Sequence, residues 1–221
     1  HQASLPPDQR IARTPGGRPT KLPESELLPV DGFIFIAPHP GQGKLVLNAI
    51  DPSLTDESDP FSVDPALDPF SANNGFRTAA EGGASYAPEF IARYKLAQTE
   101  RVARIDKFAK NIIAERMAAK KKLKEGGSHG DARRLDEKKA ALGSMFNVWR
   151  TDADLRCFDL KLDPSDRRFG TVWGADPVAS NYGSVGFARI CTPESWLSTW
   201  SGLSSNASFE KCGDAIRQPA L

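Results

Sequence analysis

The apolar and polar positions divide the chain into stretches of different character. Residues 1–30 carry six prolines and no apolar run, which predicts a polar, proline-rich connector over 5–30. At 33–37 the continuous run Phe-Ile-Phe-Ile-Ala stands between Gly32 and Pro38. An unbroken β-branched and aromatic run predicts a short strand buried on both faces, as in the middle of a parallel sheet. Gly41-Gln42-Gly43 then leads into a short helix over 44–50. From 51 to 83 the pattern dissolves into acidic turns. Asp51-Pro52, Asp59-Pro60, Asp64-Pro65 and Asp68-Pro69 each disfavour helix at the aspartate. Phe61, Val63, Leu67 and Phe70 give this excursion enough apolar surface to pack.

From Pro88 the period changes to three and four. Phe90, Ile91, Tyr94, Ile105, Phe108 and Ile112 fall on one face, with Lys and Arg between them. That pattern predicts one amphipathic helix to about Lys124. Gly126-Gly127 ends it, and a second helix over 132–142 completes a helical hairpin spanning 88–142. Residues 154–162 read as a strand or extended segment, and Asp163-Pro164-Ser165-Asp166 as a turn. Thr192-Pro193 combines an N-cap hydroxyl with proline at the first helical position, so a helix is expected over 194–200. Another is expected over 208–216, and 219–221 reads as the start of a strand. The fold class expected is α/β, with one or few parallel strands and a mainly helical insertion.

The formal charge of +1 hides an uneven distribution. Residues 1–90 hold six basic and twelve acidic side chains, and residues 91–142 hold fifteen and seven. Basic stretches of this kind are usually the solvated face of a helix. No aromatic residues interleave to stack bases, so neither nucleic acid nor membrane is expected as a partner. No apolar run approaches the ~20 residues of a membrane span. Three widely spaced cysteines, Cys157, Cys191 and Cys212, read as buried free thiols of a reducing, cytoplasmic compartment. The first residue is His1 rather than Met, which raises the expectation of a piece of a longer protein.

Two motifs imitate known chemistry. Gly41-Gln42-Gly43-Lys44 lacks the earlier Gly and the following Ser or Thr of a phosphate loop, having Pro38 and Leu45 there. A tight turn is the better reading. Gly126-Gly127-Ser128-His129-Gly130 matches the nucleophile pattern G-x-S-x-G, which requires a strained turn after a buried strand. Here it follows a lysine-rich helix end, so it reads as a chance match in a solvated loop. No histidine is spaced with Cys, Asp or Glu as a metal site requires, and no cofactor is expected.

Several blocks together are more specific. The run Leu28-Pro-Val-Asp-Gly-Phe-Ile-Phe-Ile-Ala-Pro-His-Pro-Gly-Gln-Gly-Lys44, continuing to Glu57, resembles bacterial α/β-hydrolase-fold proteins. So do residues 62–70, 86–90, 182–189 and 192–206, and the resemblance is strongest for a branch with a large cap insertion. It covers most of the chain. It implies a partial α/β-hydrolase fold: 1–44 as core, 45–190 as cap and 191–221 as the return to the core. The nucleophile would precede residue 1, the triad acid would follow the strand begun at 219, and the histidine would come later. No position here matches nucleophile, acid or base, so the chain alone is expected to be inactive.

The resemblance implies acyl-ester hydrolysis of a small molecule, with only pocket roles left for this chain. His39 and Gln42 follow the predicted strand at the end where open sheets carry their sites. Trp196 and Trp200, at i and i+4, would form an apolar wall. Two alternatives stand beside this reading. One is a non-enzymatic binding or assembly module built on the helical hairpin, and the other is a subunit completed by a separate nucleophile-bearing chain.

Overall fold

The computed structural model describes all residues except Ala37, Pro164, Asp214, Ala215, Arg217, Gln218, Ala220 and Leu221. The chain is mostly helical, and its only sheet among the described residues is a two-stranded antiparallel pair. Among the described residues six α-helices follow in order: α1 (Gln42–Ala49), α2 (Pro88–Lys124), α3 (Gly130–Ala141), α4 (Pro177–Tyr182), α5 (Pro193–Ser195) and α6 (Phe209–Cys212). The strands β1 (Phe146–Asn147) and β2 (Ile190–Cys191) are two residues each. Two compact units result. One contains His1–Lys44, Ile105–Phe146 and Thr192–Leu221, and the other Leu45–Arg104 and Asn147–Cys191.

The α/β expectation fails at residues 32–37. No parallel sheet exists among the described residues, and the predicted core strand is not a strand. A strand buried on both faces needs hydrogen-bonded neighbours on each edge. Here the segment makes one backbone hydrogen bond among the described residues, from Phe33 N–H to the Pro219 carbonyl at 3.2 Å. Ile34 is 72% exposed and Ile36 86%. The partial α/β-hydrolase architecture expected from the resemblance is therefore overturned as a description of this chain. Ala37, and the Ala220 and Leu221 of the strand expected at 219–221, lie outside the described residues.

The unit formed by 45–104 and 147–191 has an aromatic core. Tyr86, Phe90 and Tyr94 stack along the start of α2, with ring centroids 5.3 and 5.6 Å apart in sequence. Phe158 is fully buried against Phe70 and Phe76. Burial of such rings stabilises by about 1.5–3 kcal/mol each. The phenol groups are satisfied: Tyr86 donates to the Pro69 carbonyl and Tyr94 to the Ala153 carbonyl, both at 2.8 Å.

The acidic excursion is held by its own aspartates. Asp51, Asp59, Asp64 and Asp68 each accept the backbone N–H two residues on, at 2.9 Å. Proline between the two sets the turn, and the carboxylate closes it. The same local bond displaces the extended segment expected at 154–162. Asp154 and Asp159 accept from Arg156 N–H and Lys161 N–H, and the chain forms two 3₁₀ turns instead, Leu155–Cys157 and Leu160–Leu162. Side chains that offer the backbone a nearby acceptor compete with strand ladders.

Beneath this lies a buried polar network. Arg150 donates from Nε and Nη2 to Asp51 Oδ2, at 3.0 and 2.6 Å, and both residues are essentially inaccessible. Asn181 Nδ2 donates to the same oxygen at 2.8 Å. Arg101 donates to the Asp51 and Trp149 carbonyls and makes a two-pronged pair with Glu57. Arg150 sits at φ 56, in the left-handed region. A non-glycine residue held there indicates that its surroundings fix it.

The other unit packs around Trp196. α2 is one helix over Pro88–Lys124 as expected, with Phe90, Tyr94 and Ile105 buried and Ile91 and Ile112 half-buried. Phe108 departs from the expectation, being 51% exposed. Steps of 100° per residue put it on the shoulder of the buried stripe, where Phe146 covers one edge. Asp106 is buried and accepts from Trp196 Nε1 at 2.7 Å and from the hydroxyls of Ser201 and Ser204. Thr192 caps α5 as its sequence predicts, and the chain continues as a wider π turn over Trp196–Trp200. Of the helix expected over 208–216, α6 forms Phe209–Cys212, and Ile216 is not helical, while Asp214 and Ala215 fall outside the described residues.

Candidate functional site

The expected site begins where residues 39–42 enter α1. Gly41 and Gly43 are required there by close approach. Gly41 has φ 127, and a Cβ would lie 2.2 Å from the Ala207 carbonyl oxygen, while one on Gly43 would lie 2.5 Å from that of Ser201. The glycines that suggested a phosphate loop thus let α1 meet residues 201–208. Phe209 N–H donates to the Pro40 carbonyl at 3.1 Å, and Lys44 pairs with Glu210 at 2.7 Å.

This contact forms an open cavity of about 280 Å³ bordered by His39, Gly41, Gln42, Ser208, Phe209 and Cys212. His39 Nδ1 accepts the Gly41 N–H at 3.1 Å. In the neutral imidazole the proton then resides on Nε2, which is left as a donor. Gln42 is half-buried, and its side-chain oxygen is shielded from solvent without a hydrogen-bond partner among the described residues. Phe35 packs edge-on against Phe209 with centroids 5.5 Å apart.

The structure therefore brings His39 and Gln42 together. It places Trp196 elsewhere, fully buried with its indole N–H on Asp106. Trp200 is half-buried and is not among the residues bordering the cavity. Sequence reading missed Phe209 and Cys212, which are about 170 positions away, because no local pattern links them to residue 39.

The serine of the G-x-S-x-G match is not in solvent as expected. Ser128 is buried and donates to Asp136 of α3, closing the hairpin, while His129 stays exposed. Its hydroxyl is committed to structure, with no histidine on it. None of the three cysteines is in a disulfide; Cys191 is buried, and Cys157 and Cys212 are half-buried rather than buried as expected. Burial, helped by Asp154, pushes the Cys157 thiol up to about 11, so little of it is thiolate at neutral pH. Among the described residues no group of His, Cys, Asp and Glu is arranged to hold a metal ion, and no helix is long and apolar enough to cross a membrane. Compared with known proteins, the chain matches no family model, no curated protein and no solved structure.

Proposed function

We propose that the chain is a ligand-binding part of a serine-type ester hydrolase, incomplete by itself, with nucleophile, acid and base supplied from outside these residues. The parallel sheet forms no part of this proposal. The similarity of residues 28–57, 182–189 and 192–206 to such hydrolases supports it, and one structural observation carries it. Residues 39–42 and 208–212, distant in sequence, meet around a cavity with an imidazole and an amide at its border. An ester offers a matching pair of features, an apolar acyl chain and a carbonyl that accepts from His39 Nε2–H. A reducing, cytoplasmic setting belongs to the same proposal, since none of the cysteines is in a disulfide.

The test uses the whole chain with p-nitrophenyl butyrate and its amide analogue N-phenylbutyramide. No hydrolysis is expected, but the amide should shift the His39 imidazole resonances, and Phe209→Ala should abolish that shift. Hydrolysis that disappears in Ser128→Ala, or an unmoved His39, would overturn the proposal.

An assembly role is favoured by a separate observation. Leu28, Val30, Ile34 and Ile36 are all more than half exposed within nine residues. Clustered apolar exposure of this kind marks interaction surfaces, and a separate nucleophile-bearing chain would cover them. Self-association of the isolated chain, relieved by Ile34→Ser with Ile36→Ser, is the expected signature; a monodisperse monomer at high concentration argues against it.

A further inference from the structure

A second cavity, of about 170 Å³, lies wholly within the unit formed by 45–104 and 147–191. α2 lines it with Ile91, Lys95 and Gln98, at i, i+4 and i+7, which is one stripe of a helix. The facing wall comes from the turns that replaced the expected strand, with Asp154, Leu155, Arg156 and Leu162. Asn48, near the end of α1, closes one side.

The charges of this lining do not cancel. Arg156 is satisfied by Asp154, with Nη2 to Oδ2 at 2.6 Å and Nε bridging both oxygens. Lys95 has no ion pair among the described residues. Among the described residues Asp154 is the one carboxylate bordering the cavity, against two cations. The Gln98 amide is held in place by donating to the Asn48 and Ile50 carbonyls, at 2.7 and 3.0 Å, so this wall is preformed. The remaining lining is Tyr94, whose hydroxyl donates to the Ala153 carbonyl, and the apolar Ile91, Leu155 and Leu162. Cavities of about 150 Å³ accept a benzene ring, which sets the size of the occupant.

We propose that this cavity binds a small amphipathic monocarboxylate, its charged end meeting Lys95 beside the Arg156–Asp154 pair and its ring or short chain lying on Ile91, Leu155 and Leu162. The inference is independent of the ester-pocket reading, because it shares no residue with that site. Lys95 is exposed, and exposed positions tolerate replacement within about 0.5 kcal/mol, so its replacement leaves the fold intact.

Calorimetric titration of the full chain with benzoate, benzyl alcohol and inorganic phosphate tests it. Benzoate is expected to bind with a Kd below about 1 mM. Benzyl alcohol should bind about tenfold more weakly, since it lacks the charge-assisted contact. Lys95→Met should weaken benzoate by about the same factor and leave benzyl alcohol unchanged. Leu155→Ala should weaken both ligands. Equal affinity for benzoate and benzyl alcohol, an unaffected Lys95→Met variant, phosphate binding as tightly as benzoate, or no binding at all would each overturn the proposal.

Discussion

Residues 33–36 and the Asp51–Arg150 network invert the usual relation between hydrophobicity and burial. The first is the most apolar run in the chain, and Ile34 and Ile36 stand largely in solvent. The second consists of charged side chains, and Asp51 and Arg150 are essentially inaccessible. Backbone partnership explains the difference. A strand segment can bury both faces only when its N–H and C=O groups find ladder partners, because an unpaired buried group costs about 1–3 kcal/mol. The network meets that condition for its polar atoms: Asp51 accepts from Ser53, Arg150 and Asn181, and Arg101 takes the Asp51 carbonyl. Composition alone would have ranked the two the other way round.

The largest test of that contrast is Arg150→Ala. It strands the Asp51 carboxylate in the interior, and removing one partner of a buried pair costs about 3–5 kcal/mol. Urea unfolding should show this loss, and Asp51→Asn combined with Arg150→Met should recover most of it. A cost near zero would mean the network is solvated in solution.

Gln42 sharpens the comparison from the other side, as a buried acceptor with no partner among the described residues. Gln42→Leu removes an unsatisfied group while keeping its bulk, and should raise stability by about 1 kcal/mol. A loss of similar size would show that the oxygen has a partner in solution.

Asp68 gives a smaller, pH-dependent effect. Burial, reinforced by the nearby Asp51 charge, raises its carboxyl above the ordinary 3.8, while the Phe70 N–H bond and Arg150 oppose the shift. An acid with a raised folded pKa contributes stability that is present below the unfolded pKa and lost as pH rises through the folded one. Asn imitates the protonated form. Asp68→Asn should therefore be more stable than the parent at pH 7, by a few tenths of a kcal/mol after screening at this half-exposed site. The difference should vanish below pH 3.8. A gain that persists unchanged at acid pH would assign the effect to something other than the charge.

The smallest expected effect belongs to the apolar run. Ile34→Ser with Ile36→Ser should alter unfolding stability by no more than about 0.5 kcal/mol, as for other surface positions. A loss above about 2 kcal/mol would show that these side chains are buried in solution.

What the sequence determined by itself was local. The helix Pro88–Lys124 was legible because its apolar period of three and four extends over many turns. The α5 cap was legible because Thr192-Pro193 satisfies and presets the first turn. The Asp-Pro turns were legible as breaks, since proline restricts the residue before it. Of the candidate site, the juxtaposition of His39 and Gln42 was readable, being three residues apart at a helix entry. Their meeting with Phe209 and Cys212 was not. Tertiary structure alone decided that meeting, the burial of Ser128 on Asp136 and the commitment of Trp196 to Asp106. Whereas the turns at 154–162 were set locally, by Asp154 and Asp159 accepting the N–H two residues on, tertiary structure also decided that 33–36 would lie open. The reason is common to all of them. Periodicity and capping are fixed by atoms a few residues apart, whereas a strand's partners, a carboxylate's donors and a cavity's far wall come from segments whose arrival no local pattern records.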